Sequence, residues 1–200
     1  MTNSVLFNKI DVLTFHLQRK QIIKEYIATL DDSELNVESI KQDTYEHYYY
    51  DLPNLQEDKI CQEKPERIFI DGSKRPDLMF QYDGNRIEGT RFTFVIPFEG
   101  DEELFDIRPS QFTFNPPRGN IEGNEIKYQY DAISGEDKQG ALNSFESNSG
   151  EIKKTLETLK NDLSKFNDEL KIFINVEIDH ILAANQKGIN DANSFGFPIR

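Results

Sequence analysis

Tryptophan is absent from the 200 residues, cysteine occurs once and histidine three times. A lone Cys61 excludes an internal disulfide and a cysteine-based zinc cluster, and it fits a reducing compartment, so a cytoplasmic location is expected. His16, His47 and His180 stand far apart and at no HxxxH or HExxH spacing, which leaves no expectation of a histidine metal site. No run approaches the ~18 apolar residues of a membrane-spanning helix. The opening MTNSVLFNKIDVLTF has Asp11 inside its apolar spacing and lacks a basic leader or a small-residue cleavage site, so it does not read as a secretory signal. Positive charge is also short: 23 Lys and Arg face 36 Asp and Glu, a net charge of -13. Lys153, Lys154 and Lys160 alternate with Glu151, Glu157 and Asp162, the pattern of a solvated helix face. With no basic stripe to override the overall sign, direct nucleic-acid binding is not expected.

What is present is phenylalanine. Fifteen Phe and eight Tyr argue for a folded core despite a mean hydropathy of -0.66. A chain of this length can bury roughly 70% of its unfolded surface. The densest strand signal runs from Arg86 to Tyr130. Phe92, Phe94, Ile96 and Phe98 alternate with Arg91, Thr93, Val95 and Pro97, the period of a strand with one buried face. Pro97 has no amide hydrogen, so the strand either ends there or turns that side to an edge. Phe112 with Phe114, and Ile126 with Tyr128 and Tyr130, repeat the alternation, and Gly123-Asn124 supplies a tight turn before the last of these. Arg67 to Asp71 opens the strands, and Leu78, Phe80 and Tyr82 lead through Asp83-Gly84-Asn85 into the Arg86 strand as a hairpin. Gly100 to Phe105 reads as a short helical turn with its acids at the N-terminal end and Leu104 and Phe105 tucked inward.

Helical spacing flanks this region. Val5, Leu6, Ile10, Leu13, Leu17, Ile22, Ile23 and Ile27 predict an amphipathic helix over about 4–29, and a second is expected from about Ser33 to Tyr50. The tyrosines of YEHYYYD are expected to pack a helix end against the sheet. Residues 52–66 read as a surface connector without periodicity. Beyond the sheet, Leu142, Phe145, Ile152, Leu156, Leu159, Leu163, Phe166 and Leu170 fall on alternating steps of three and four, with Ser149 at the polar seam position. Asn167-Asp168 resembles an N-cap, and Ile172, Phe173, Val176, Ile178, Ile181 and Leu182 form a broader apolar set, which predicts an antiparallel helical hairpin over 138–188; one continuous rod is the alternative. The whole is an α+β fold. An antiparallel sheet of five to six strands over residues 67–131 packs under a helical segment of residues 1–60 and the C-terminal hairpin.

Candidate chemistry is thin. Arg75-Pro76-Asp77 followed by Glu88 approaches the pattern of metal-dependent nucleases, but Gly89 and Thr90 follow Glu88 where a lysine is needed to help activate water. Asp101, Glu102, Glu103 and Asp106 lack the spacing of a calcium loop. No glycine-rich phosphate loop, nucleophile elbow or Cys-His pair is visible. No catalytic residue, metal or cofactor is therefore assigned, and the chain by itself is not expected to be an enzyme. Arg108 before Pro109, and Asn115 and Arg118 flanking Pro116-Pro117, are cations and an amide on stiff loops; they are the candidate binding residues, for an anion. In a chain this acidic such arginines more often pair with local carboxylates, which is the reading against an anion site.

The run IPFEGDEELFDIRPSQFTFNPPRGNIEGNEIKYQY, Ile96 to Tyr130, and the closing GFPIR resemble the N-terminal region of a group of uncharacterised bacterial proteins, in which it precedes a domain similar to restriction-endonuclease-like nucleases. The resemblance implies a non-catalytic sensor or scaffold that regulates an attached nuclease-like effector, in defence against phage, with the nuclease acids and lysine beyond Arg200. Its partner would be that downstream domain or another protein. Homo-oligomerisation through the C-terminal seam is the alternative, and a self-sufficient magnesium nuclease using Asp77 and Glu88 is the third.

Overall fold

The computed structural model describes residues 3–30, 37–71, 86–112, 115–133 and 138–196. It divides into two compact units, Met1–Asp11 with Asp51–Leu159, and Val12–Tyr50 with Lys160–Arg200.

The first unit holds the sheet. Its axis is the strand the phenylalanine alternation predicts, which is β6 in a chain that also contains β1 (Ser4–Val5), β2 (Ile10–Asp11), β3 (Asn54–Leu55), β4 (Cys61–Gln62), β5 (Glu66–Asp71), β7 (Ile107–Arg108), β8 (Arg118–Glu122) and β9 (Glu125–Ile133). β6 itself runs Arg86–Glu99. On one side it pairs antiparallel with β9, from Gly89↔Ile133 to Pro97↔Glu125. On the other it is met in turn by β5, β4 and β3. β8 and β1 extend the sheet beyond β9 to give seven strands, and β2 with β7 forms a separate parallel ribbon. The α+β class and the antiparallel sheet are as expected.

Pro97 neither ends the strand nor breaks a bond. Its carbonyl accepts the Gln56 amide at 2.8 Å, so its missing N–H faces the side on which β3 and β4 are interrupted by the 3-10 turn Glu57–Lys59. Residues 52–66 are thus stitched along β6 rather than draped over the surface. Gly123, at φ 57, makes the hairpin between β8 and β9. The turn Glu102–Asp106 forms as expected, with Leu104 and Phe105 fully buried.

Burial on β6 departs from a single covered face. Ile96 and Phe98 are buried on one side, where Phe94 stacks on Phe145 at 4.4 Å and Phe98 meets Phe105 edge-on at 4.8 Å. Thr93 and Val95 on the other side are also buried, beside cross-strand Gln129 and Lys127. Long side chains cover them: Lys127 reaches Glu63 and Glu122 at 2.8 and 2.9 Å, and Arg91 forks onto Asp131 at 2.7 and 2.9 Å. Those hydrogen bonds hold the Lys127 ammonium and the Arg91 guanidinium above their ordinary pKa values.

Three expectations about helices change. Ser4–Val5 and Ile10–Asp11 are β1 and β2, not the first turns of a helix; Phe7 between them sits at φ 54, which stops an α-helix, and the strands pair with residues about 119 and 107. The helix α1 spans Val12–Ile27, and Leu13, Leu17 and Ile22 on it are exposed. The second, α2, covers Val37–Tyr48, its expected start lying outside the described residues. Most plainly, the C-terminal hairpin is a single helix, α3, Lys138–Asn193. Its buried positions Ala141, Phe145, Ser149, Ile152, Leu156, Leu159, Leu163, Phe166, Leu170, Ile174 and Ile178 step by three or four without a break of phase, as one helix requires. Ile172 and Val176, expected inside, are exposed, and Ile174 takes their place.

Asn167 explains the correction. It is 6% exposed, well inside α3, and donates from Nδ2 to the Tyr50 carbonyl at 3.3 Å while Oδ1 accepts the Tyr50 amide at 3.4 Å. In this second unit Tyr50 packs on Phe15 and Phe166, with the Arg19 guanidinium 4.8 Å from its ring centre. The tyrosine tract is thereby anchored on helices of its own unit. The hairpin expected over 78–85, with Asp77, lies outside the described residues, as does Phe114.

Candidate functional site

Pro116-Pro117 forms a ridge in the first unit, and its C-terminal end is tied down twice. The Pro117 carbonyl accepts the Leu6 amide at 2.9 Å. The next residue, Arg118, is gripped by Asn148: the Arg118 amide donates to Oδ1 at 2.8 Å and Nδ2 donates to the Arg118 carbonyl at 2.7 Å. A side-chain amide carries a donor and an acceptor side by side, as a peptide does, so it can substitute for a neighbouring strand. Asn3 does the same to Gln129, at 2.7 and 2.8 Å, and Asn167 to Tyr50 in the second unit.

A hollow lies on each side of the ridge, and Pro116 and Pro117 line both. The first, about 230 Å³, contains Arg108. Its walls are mostly apolar, with Phe7, Pro109 and Phe112 beside the prolines. Arg108 is brought there by β7, and its guanidinium carbon lies 5.2 Å from the centre of the Phe112 ring. Phe7 is fixed at the base: it is 3% exposed, its amide donates to the Phe105 carbonyl at 2.5 Å, and its ring meets Phe105 at 5.5 Å. A left-handed backbone at an aromatic residue is strained, and this hydrogen bond with the ring packing holds it.

The second hollow, about 210 Å³, contains Arg118 and Asn115. It is polar. Tyr128 and Ser144 share a hydroxyl hydrogen bond of 2.7 Å, and Glu151 Oε2 is sealed from solvent without a hydrogen-bond partner. The three candidate residues do not converge. Asn115 and Arg118 share one hollow, and Arg108 faces the other.

Among the described residues neither Arg108 nor Arg118 makes an ion pair, against the reading that local carboxylates would claim them. Arg67 and Arg91 do pair, with Glu88 and Asp131. Sequence reasoning missed Phe7, whose partner Phe105 is remote in the chain, and took Phe112 for a strand residue; it is 59% exposed in a loop. The poor helix formers Ser147-Asn148-Ser149-Gly150 suggest by themselves a helix that starts only at Gly150 or carries a weak turn; α3 runs through them unbroken, and the contacts of Asn148 with Arg118 are the compensation that the sequence does not show. Among the described residues no three His, Cys, Asp or Glu side chains gather as a metal site, and no helix is long and apolar enough to cross a membrane. Comparison with protein-family models, with curated proteins and with solved structures finds no match to the chain.

Proposed function

We propose that this chain is a non-catalytic sensor or scaffold module that controls a nuclease-like effector, carried on the same polypeptide or on a partner protein, in bacterial defence against phage. The effector and its setting come from the resemblance of Ile96 to Tyr130. The observation that carries the recognition role is the clamped Pro116-Pro117 ridge with an arginine in the hollow on either side, neither held by a carboxylate among the described residues. Cations at the ends of the strands that flank a proline loop, without an ion pair among the described residues, are suited to binding rather than to covalent chemistry. The test is the natural open reading frame expressed with and without Arg108→Glu and Arg118→Glu. DNA cleavage by the effector should change in its control while the chain stays folded; unchanged regulation in both variants would contradict the proposal.

A second reading, homo-oligomerisation, draws on a different observation. In the helical unit Leu13 and Leu17 on α1, and Ile172 and Val176 on α3, are each more than half exposed at four-residue spacing. The C-terminal seam proposed for assembly is itself buried within the chain, so these side chains would be the contact. Light scattering on the isolated chain at tens of micromolar separates the two readings, since a monomer removes the second.

A further inference from the structure

We infer that the hollow around Arg108 binds a small aromatic carboxylate, its ring against Phe7 and the prolines and its carboxylate on the guanidinium. The inference names a ligand for the sensor reading and rests on that reading only for its biological consequence. Three observations carry it. The cavity of about 230 Å³ has the size for one ring with a short acidic arm, since a dry apolar cavity of about 150 Å³ accepts benzene. Among the described lining residues Phe7, Phe112 and three prolines supply most of the wall, with Asn8 and Thr155 beside them, and the one cation is the guanidinium of Arg108. Arg108 approaches Phe112 with no ion pair among the described residues, so its N–H groups are available to a planar, two-oxygen acceptor.

The base of the hollow is preorganised. Phe7 is held by its amide bond to Phe105, and Phe105 by its edge contact with Phe98 on β6, so a ring entering the hollow meets a wall already in place. Thr155, 7% exposed, has its hydroxyl committed to the Glu151 carbonyl at 2.7 Å and offers the ligand its methyl-bearing side. A bare inorganic anion would leave these apolar walls wet, and a neutral ring would leave the guanidinium unpaired. Only a molecule with both parts satisfies the site.

The experiment is isothermal titration of the folded chain with benzoate and phenylacetate, set against benzyl alcohol and inorganic phosphate. Saturable binding of an aryl acid is expected, weaker by about tenfold or more for benzyl alcohol because the charge-assisted hydrogen bonds are lost. Arg108→Gln should abolish binding with an unchanged melting temperature, and Arg118→Gln, across the ridge, should leave it intact. Absence of saturable binding by either aryl acid would overturn the inference, as would equal binding by the Arg108→Gln chain. Phosphate binding as well as the aryl acids would overturn it too. Because binding is read on this chain and effector control on the longer reading frame, either can fail while the other stands.

Discussion

Replacing Asn167 distinguishes a clamp inside one helix from a cap at the start of another. A cap needs only a side-chain oxygen, and Asp or Ser serves about as well as Asn. The clamp needs a donor and an acceptor together, because Asn167 gives Nδ2–H to the Tyr50 carbonyl and takes the Tyr50 amide on Oδ1. Asn167→Ala removes both hydrogen bonds, at about 1 kcal/mol each. Tyr50 is 1% exposed, so water does not readily replace those bonds, and the desolvation penalty for the groups that lost them can add up to a further ~1–3 kcal/mol. The gain in helix propensity returns at most ~0.7 kcal/mol. At 3.3 and 3.4 Å the hydrogen bonds are long, which places the net loss near the lower end, about 2 kcal/mol. Asn167→Asp should be at least as damaging, since a carboxylate cannot donate to the carbonyl and would be buried at a site 6% exposed. Urea unfolding followed by circular dichroism reads both variants. Wild-type stability in Asn167→Asp or Asn167→Ser would refute the clamp and restore a helix start at this position.

Three further outcomes follow from packing and charge. Gly150→Ala should stabilise by ~0.5–1 kcal/mol, because a methyl group there meets nothing within 4 Å, whereas Gly119→Ala should destabilise, its Cβ falling 2.7 Å from Ile126 Cγ2; melting curves of the two should move in opposite directions. Ile126→Ala empties a fully buried position opposite Ile96 and should cost about 2–5 kcal/mol in chemical unfolding. His16 stacks on Phe166 at 4.3 Å with Nε2 sealed and unpartnered, and burial, with Lys20 nearby, lowers its pKa against the opposing pull of Asp162 and Glu169. The unfolded chain therefore takes up the proton first as pH falls. This contribution is complete above the ordinary value of 6.5 and declines below it, so stability should drop on acidification through that range and Phe at position 16 should flatten the drop.

The parts of the fold legible in the sequence are those encoded locally. β6 declares itself by alternation, the β8–β9 hairpin by Gly123-Asn124, and the 3-10 turn by acids preceding two apolar residues. Residues 4–11 were misleading for the converse reason. Val5, Leu6 and Ile10 carry helical spacing, but Ser4 pairs with Gly119 and Ile10 with Ile107, and nothing nearby in the chain announces those partners. Asn148 and Asn167 look like helix weaknesses when read alone, and only their grip on remote backbone shows why a 56-residue helix passes through them. Of the site, the rigidity of the proline loop and the cationic character of Arg108 and Arg118 could be read directly. The ridge that separates the arginines, and the aromatic walls Phe7 and Phe112, depend on contacts between distant segments.

The function proposed for this chain is to recognise and not to cut. Incubating the purified chain with supercoiled and linear DNA in magnesium and then manganese tests it most directly: both substrates should remain intact, and cleavage that disappears in Asp77→Ala or Glu88→Ala would contradict the account.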